Sequence, residues 1–138
     1  SPMAGGFLSG KYRHAAFEGD DVRRVITRYT EENMQANAVL LDLINRYAEA
    51  KHCTAAQVSL AWVMHSAHVV PIPGMRTDAR ILESAARLKQ GGFLTPILVA
   101  AMNEALAHIT IHGNRTDEDI AKLGTIEGNQ QKVAKAER

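Results

Sequence analysis

The fold class of this chain is decided by one short stretch, Val69-Val70-Pro71-Ile72-Pro73-Gly74. A short apolar run rich in β-branched residues and bounded by Pro and Gly is typical of a buried strand in a parallel sheet, because such strands are covered on both faces. The prolines fall toward the end of the run, where a missing N–H donor matters least. We therefore predict a strand at 69–73 and an α/β fold.

Helical periodicity and helix-start signals surround this stretch. They predict five helices, at 31–51, 54–64, 77–89, 95–109 and 116–123. The second opens with the capping box Thr54-Ala55-Ala56-Gln57 and is apolar nearly all round, so we expect it to be largely buried. The predicted buried stripe of the fourth helix is Leu98, Ala101, Met102, Ala105, Leu106 and Ile109. Residues 11–28 lack such a pattern and are interpreted as a long exposed connection.

The predicted strand raises a physical difficulty. A strand that is apolar on both faces needs neighbouring strands on both sides, and the rest of the chain offers no second convincing strand. Either another polypeptide segment supplies the neighbours, or the sequence is a piece of a larger sheet protein. An uncovered strand edge also leads us to expect self-association of the chain.

Composition sets the broad class. A length of 138 residues suits one domain, and 46% hydrophobic with 22% charged residues excludes disorder of the whole chain. The net charge of +1 lacks the basic excess expected of a protein that binds nucleic acid or an anionic membrane. The sequence contains no run of about 18 apolar residues, so no membrane-spanning helix is predicted. The single cysteine, Cys53, excludes an internal disulfide and suits a cytoplasmic protein. His108 and His112 have helical spacing but no third ligand, so no metal site is predicted.

Two segments have the composition of anion-binding loops. The first, 1–11, contains Lys11 and glycines whose amides can approach a phosphate closely; from composition alone, an ordinary surface turn is favoured. The second, 74–80, runs from a Gly turn into a helix N-terminus, where unpaired amides and the helix dipole favour an anion. Arg76 and Arg80 lie four residues apart on it, and the equally weighted alternative is that Arg80 pairs with Glu83.

Several motifs, taken in order, resemble the aldo-keto reductase family. They are Ser-Pro-Met-Ala-Gly-Gly-Phe-Leu-Ser-Gly-Lys-Tyr at 1–12, Asp-Asp-Val-Arg-Arg at 20–24, Arg-Tyr-Thr-Glu-Glu-Asn at 28–33, Cys-Thr-Ala-Ala-Gln-Val-Ser-Leu-Ala-Trp at 53–62 and Val-Pro-Ile-Pro-Gly at 70–74. The first motif resembles the segment after the seventh barrel strand. The resemblance therefore implies the C-terminal part of a (β/α)8 TIM barrel, mostly helical within this chain. It covers 1–109 and leaves 110–138 as an extension of a single domain fragment, 1–138.

The resemblance also implies NADPH as the cofactor. The positions that match family contacts to the pyrophosphate are Ser1, Pro2, Met3, Ala4 and Gly5, with Lys11 at a phosphate-facing lysine. Those that match the adenosine end are Gly74 and Arg76 at the turn, Arg80 at the 2′-phosphate, and Glu83 and Ser84 at the adenine. Ser84 stands where the family usually has Asn, and Arg23 matches an arginine of the lid over the cofactor.

The activity that the resemblance implies is reduction of aldehydes or ketones to alcohols. Family catalysis uses a Tyr proton donor supported by Lys, Asp and His on earlier strands and loops, and we assign no catalytic residue in this chain. We therefore expect the chain alone to be inactive. We expect it to supply the cofactor-binding half of an enzyme whose substrate is a small carbonyl compound. The alternatives are a non-catalytic nucleotide-binding or interaction module and a truncated remnant.

Overall fold

A computed structural model of the chain describes residues 1–12, 14, 17–88 and 94–115. Their α-helices are α1 (Glu31–Ala36), α2 (Ala38–Ala50), α3 (Ala55–Met64), α4 (Asp78–Leu88) and α5 (Pro96–Ala107). Short 3-10 turns lie at Ala4–Ser9, Val22–Arg24 and Thr27–Tyr29. The chain divides into two compact units, of which the first comprises Ser1–Arg13 with Asn37–Thr110 and the second His14–Ala36 with Ile111–Arg138.

The first unit has a helical core. Helix α2 packs against α3, α3 packs against α4, and the turn Ala4–Ser9 contacts both α2 and α3. The most deeply buried side chains of this core are Leu41 of α2 and Val58 and Leu60 of α3, each at most 2% exposed. Burying one such side chain stabilises the fold by about 1.5–3 kcal/mol. Helix α3 is therefore the element that α2, α4 and the turn Ala4–Ser9 all contact.

The predicted helix starts are confirmed by their caps. The Thr54 hydroxyl accepts a hydrogen bond from the Gln57 N–H at 3.2 Å, and the Gln57 side chain accepts one from the Thr54 N–H at 3.1 Å. Ahead of α5, the Thr95 hydroxyl accepts from the Leu98 N–H at 3.3 Å, and Pro96 occupies the first helical position. Both arrangements satisfy N–H groups that lack partners within the helix, which is why local sequence could predict them.

One predicted helix, 31–51, is in fact two. Helix α1 ends at Ala36, α2 begins at Ala38, and Asn37 between them has φ −82° and ψ −2°, at the edge of the right-handed helical region. Asn favours such breaks because its short amide side chain competes for nearby backbone groups. The side chain of Asn37 is 2% exposed, so the break is part of the folded core rather than a frayed end.

Two predictions of helix burial are wrong in part. Helix α3 is buried over Ala55–Leu60, but Trp62 and Met64 at its end are 38% and 42% exposed. In α5, the buried side chains are Val99 and Met102, whereas Ala101 of the predicted stripe is exposed. Both helices are apolar on more than one side, so the buried face is chosen by tertiary packing and not by periodicity.

The predicted buried strand is absent. Residues 69–76 are irregular, and Val70 and Ile72 are 87% and 82% exposed. None of the residues that the structure describes lies in a strand. A strand exists only when a neighbour pairs with its backbone N–H and C=O groups, and the described residues offer this segment no such neighbour.

The second unit is built on short turns. Ile26 and Tyr29 are 4% and 8% exposed, and Met34 of α1 is 1% exposed. The Phe17 ring meets the Tyr29 ring edge to face, with centroids 5.8 Å apart. The exposed connection predicted for 11–28 is therefore wrong at Ile26, which contributes to a small core with Tyr29 and Met34.

Two further predictions lie outside the described residues: the last residue of the third predicted helix, Lys89, and the helix at 116–123. Across the ranges that are described, no helix combines the length and apolar character needed to cross a bilayer.

Candidate functional site

The loop at the N-terminal end of the first unit has an unusual backbone. Three successive residues have positive φ: Ala4 at 44°, Gly5 at 61° and Gly6 at 101°. The Ala4 N–H donates to the Ser1 carbonyl at 3.1 Å, and the Gly5 N–H donates to the Ser1 hydroxyl at 3.3 Å. Turns of this kind gather N–H groups into a small concave surface that favours anions. In this structure the loop satisfies these groups itself.

The candidate phosphate contacts in this loop differ in accessibility. Ser1 and Gly5 are exposed, Met3 and Ala4 are partly exposed, and Pro2 is buried. The bond from Gly5 to the Ser1 hydroxyl is long and exposed, so a ligand oxygen can replace that hydroxyl at little cost.

Lys11 follows the loop directly. Gly10, with a φ of 70°, ends the turn, and its N–H donates to the Phe7 carbonyl. The Lys11 side chain is exposed, with its ammonium 5.7 Å from the centre of the Tyr12 ring. A charge held this loosely is available to an anion at the loop.

The second candidate segment surrounds the start of α4. The Thr77 hydroxyl accepts a hydrogen bond from the Arg80 N–H at 3.4 Å and so caps the helix. Among the described residues, no acceptor pairs with the N–H groups of Asp78 or Ala79. These open donors and the helix dipole give this end of α4 a partial positive charge.

The two arginines of this segment are available for an anion. Arg76 is exposed and Arg80 is partly exposed. No ion pair joins Arg80 to Glu83 in the part of the chain that the structure describes, so the alternative in which Arg80 only stabilises its own helix is not observed. Gly74 is exposed, and a Cβ added there would meet nothing within 4 Å.

The two candidate adenine contacts lie where α4 meets α3. The Glu83 carbonyl accepts a hydrogen bond from the Gln57 side-chain amide at 2.8 Å, and Ser84 is 8% exposed. Helix α3 contacts both α4 and the turn Ala4–Ser9. The first unit therefore attaches both candidate cofactor segments to the same helix.

Arg23, the candidate lid residue, belongs to the second unit. Its guanidinium donates to both carboxylate oxygens of Asp21, with the Nε at 2.9 Å from Oδ1, and it stacks over the Phe17 ring at 4.2 Å. Arginine favours such paired and stacked arrangements because its charge is planar and weakly hydrated. In this structure, Arg23 is thus held by its own unit.

Comparison with known proteins gives the family. Residues 1–95, more than half of the chain, match the model of the Aldo/keto reductase family. The chain belongs to this family. It is 32% identical over 117 residues to the protein of Schizosaccharomyces pombe named aldo-keto reductase yakc, NADP(+). That match covers 83% of this chain and 34% of the yeast protein, so the chain spans about a third of the relative's length. No solved structure matches the chain.

Membership of the aldo-keto reductases implies a TIM-barrel fold, and the helices of the chain are consistent with one part of such a barrel. The donor set at the start of α4 fits a phosphate of NADP(H). It consists of two arginines and two amides on one short segment, for which the described residues supply no acidic partner and no acceptor. Cationic side chains and helix N-termini are the groups that proteins use for this purpose. Which residues hold the cofactor stays a prediction.

The other chemistry-bearing side chains of this aldo-keto reductase chain were compared over the described residues. Within the described ranges, no three His, Cys, Asp or Glu side chains lie close enough to hold a metal ion. His65, His68, His108 and His112 are exposed. The sequence analysis did not predict the second role of Gln57, which is to donate a hydrogen bond to the Glu83 carbonyl. The signal was present, because a capping box uses only the glutamine oxygen and leaves the NH₂ group for a neighbour.

Proposed function

We propose that this chain is the C-terminal, cofactor-binding part of an NADPH-dependent aldo-keto reductase that reduces aldehydes or ketones. The observation that supports this most is the start of α4, where Arg76 and Arg80 have no acidic partner among the described residues. An NADPH-binding segment needs such uncompensated charge, because the 2′-phosphate that distinguishes NADPH from NADH is an anion.

The adenosine end of the cofactor is bound by α4. The Arg80 guanidinium donates charge-assisted hydrogen bonds to the 2′-phosphate, and Arg76 adds positive potential at the turn. The open N–H groups of Asp78 and Ala79 and the helix dipole act in the same direction. The negative charge of the Asp78 carboxylate opposes these groups. The segment nevertheless keeps a net positive charge, because it has two arginines and one acid.

The pyrophosphate is bound by the N-terminal loop. The Gly5 N–H exchanges its long bond to the Ser1 hydroxyl for a phosphate oxygen, and Ser1 then donates its own hydroxyl proton to the same group. Lys11 contributes its exposed charge. The bound cofactor supplies a hydride to the substrate carbonyl carbon, and the role of this chain is to hold and orient it.

The proton donor of the reaction is not assigned to this chain. Tyr12, Tyr29 and Tyr47 are the tyrosines available, and none matches the family position of the catalytic Tyr. We accordingly propose that the chain alone does not reduce carbonyl compounds and that the complete enzyme acts in the cytoplasm, a reducing compartment that suits Cys53.

Calorimetric titration tests the binding function. Adenosine 2′,5′-bisphosphate and adenosine 5′-monophosphate are added separately to the 138-residue chain, since they differ only in the 2′-phosphate. We expect the bisphosphate to bind at least about tenfold more tightly, the minimum effect of one charge-assisted contact. Equal affinities, or binding of neither compound, would rule out the proposed 2′-phosphate site.

A further inference from the structure

Gln57 joins the two helices that carry the proposed site. Its side-chain oxygen accepts a hydrogen bond from the Thr54 N–H at 3.1 Å, and its NH₂ group donates to the Glu83 carbonyl at 2.8 Å. The residue is only 9% exposed. The hydrogen bond from the Thr54 N–H fixes the side-chain oxygen of Gln57. Because the amide group is planar, this also directs its NH₂ group toward α4.

The described side chains of α4 contribute little to the apolar core. Leu82 and Ile81 are 69% and 45% exposed, and Ser84 is the buried residue among the α4 side chains that the structure describes. The bond from Gln57 to Glu83 is also the one hydrogen bond that links α4 to another element within those residues. Apolar contacts are not directional, whereas a hydrogen bond sets a distance and an angle.

The position of α4 determines where Arg80 lies and where Arg76, two residues before the helix, can reach. The Glu83 carbonyl lies one turn beyond Arg80, and α4 is rigid over this length because its backbone is hydrogen-bonded. Fixing Glu83 against α3 therefore fixes the first turn of α4 relative to the loop Ala4–Ser9, which contacts the same α3.

We propose that Gln57 is a positioning residue for cofactor binding: its side-chain amide holds α4 in the place where Arg76 and Arg80 meet the adenosine 2′-phosphate. Gln57 itself does not touch the cofactor and acts through α4. This inference rests on the proposed function and adds a residue to it.

The decisive variants are Gln57→Glu and Gln57→Met. The first keeps an oxygen for the Thr54 N–H and replaces the donor with a group that repels the Glu83 carbonyl; the second keeps the length and removes both bonds. The matched control is Thr54→Ala, which removes the other half of the capping box and leaves the donor to Glu83 in place. Gln57→Met and Thr54→Ala both weaken the start of α3, and Gln57→Glu keeps the capping-box acceptor. Only the two Gln57 variants remove the donor to α4.

Affinity for adenosine 2′,5′-bisphosphate and hydrogen exchange of the α4 amides are measured for each variant. Both Gln57 variants should bind the bisphosphate roughly 2- to 12-fold more weakly, the range for one lost hydrogen bond, and their α4 amides should exchange faster by a similar factor. Thr54→Ala should lower the melting temperature and leave affinity and α4 exchange unchanged. Equal losses of affinity in Thr54→Ala and the Gln57 variants would show a merely structural role and overturn the inference.

Failure of the proposed function gives a different result. If the unmodified chain does not bind the bisphosphate, the cofactor site is wrong, and the exchange data alone decide whether Gln57 positions α4. Exchange of the α4 amides in Gln57→Met no faster than in Thr54→Ala would overturn the positioning role. If Gln57→Glu does not fold, the affinity and the hydrogen exchange are measured on Gln57→Met alone, because the methionine side chain buries no charge.

Discussion

Arg28 and Gly113 are 85 residues apart in the sequence and are in contact in the second unit. The Arg28 Nη2 donates to the Gly113 carbonyl at 3.1 Å, and the neighbouring Asn114 N–H donates to the Thr27 hydroxyl at 2.8 Å. A Cβ added at Gly113 would lie 2.6 Å from the Cα of Arg28. The segment at 111–115 therefore closes over the turn Thr27–Tyr29 only because residue 113 has no side chain.

Gly113→Ala should destabilise the second unit more than Gly19→Ala. Both glycines have positive φ, 81° and 61°, but a Cβ at Gly19 would meet nothing within 4 Å. The backbone conformation costs each variant about 1–2 kcal/mol, and the contact with Arg28 adds to this at Gly113 alone. Hydrogen exchange of the Tyr29 amide measures the difference. Equal effects of the two substitutions would show that the close contact is not present in solution.

Tyr29 should make the stability of the chain depend on alkaline pH. Burial raises the pKa of its hydroxyl above the ordinary value of 10.0, and the positive charges of Arg23 and Arg28 oppose this rise. The unfolded chain therefore loses the proton first as the pH rises past about 10, so stability present below that pH is lost as the pH rises through the folded pKa.

Urea unfolding of wild type, Tyr29→Phe and Tyr47→Phe at about pH 9 and about pH 11 tests this linkage. Tyr29→Phe should lose less stability between the two conditions than wild type does. Tyr47→Phe keeps Tyr29 and should behave as wild type. The same loss in all three proteins would contradict the assignment to Tyr29.

The chain should self-associate through its exposed apolar residues. Val70, Ile72 and Ile97 are each more than 80% exposed, and large apolar side chains left in water favour association with another molecule. Sedimentation velocity at tens of micromolar should show species larger than 15.1 kDa. Val70→Lys with Ile72→Lys should reduce them, whereas Val39→Lys on α2 should not. A stable monomer of the unmodified chain would contradict the expectation.

Arg80→Ala should weaken binding of NADP+ and leave binding of NAD+ nearly unchanged. Losing one charge-assisted contact costs about 1.5–3 kcal/mol, or roughly 10- to 150-fold in affinity. Arg46→Ala, on the exposed side of α2, is the matched control because it removes the same charge elsewhere. Titration of both dinucleotides against the three proteins gives the ratios. Equal losses for the two dinucleotides in Arg80→Ala would mean that Arg80 has a structural role.

Local features of the fold could be predicted from the sequence, and non-local ones could not. The starts of α3 and α5 depend on residues three positions apart, Thr54 with Gln57 and Thr95 with Leu98, so the sequence contains the whole interaction. Whether 69–73 forms a strand depends on a partner strand, and the contact of Arg28 with Gly113 depends on a residue 85 positions away. No local pattern contains that information.

The candidate site shows the same limit. The order of motifs was enough to predict the family, which the match over 1–95 confirms. The sequence could not predict that Arg80 has no acidic partner among the described residues, because its spacing from Glu83 is equally compatible with an ion pair. The sequence could not predict the hydrogen bond from Gln57 to Glu83 either, since this bond requires α3 and α4 to be packed together.

The measurement that tests the central claim most directly is backbone amide NMR of the ¹⁵N-labelled chain during titration with adenosine 2′,5′-bisphosphate. The account predicts saturable shifts concentrated in 74–84, largest at the open N–H groups of Asp78 and Ala79, with residues 27–33 of the second unit unchanged. Adenosine 5′-monophosphate at the same concentrations should produce smaller shifts at the same amides. Shifts that avoid 74–84, or the same response to both compounds, would contradict the claim that α4 binds the 2′-phosphate.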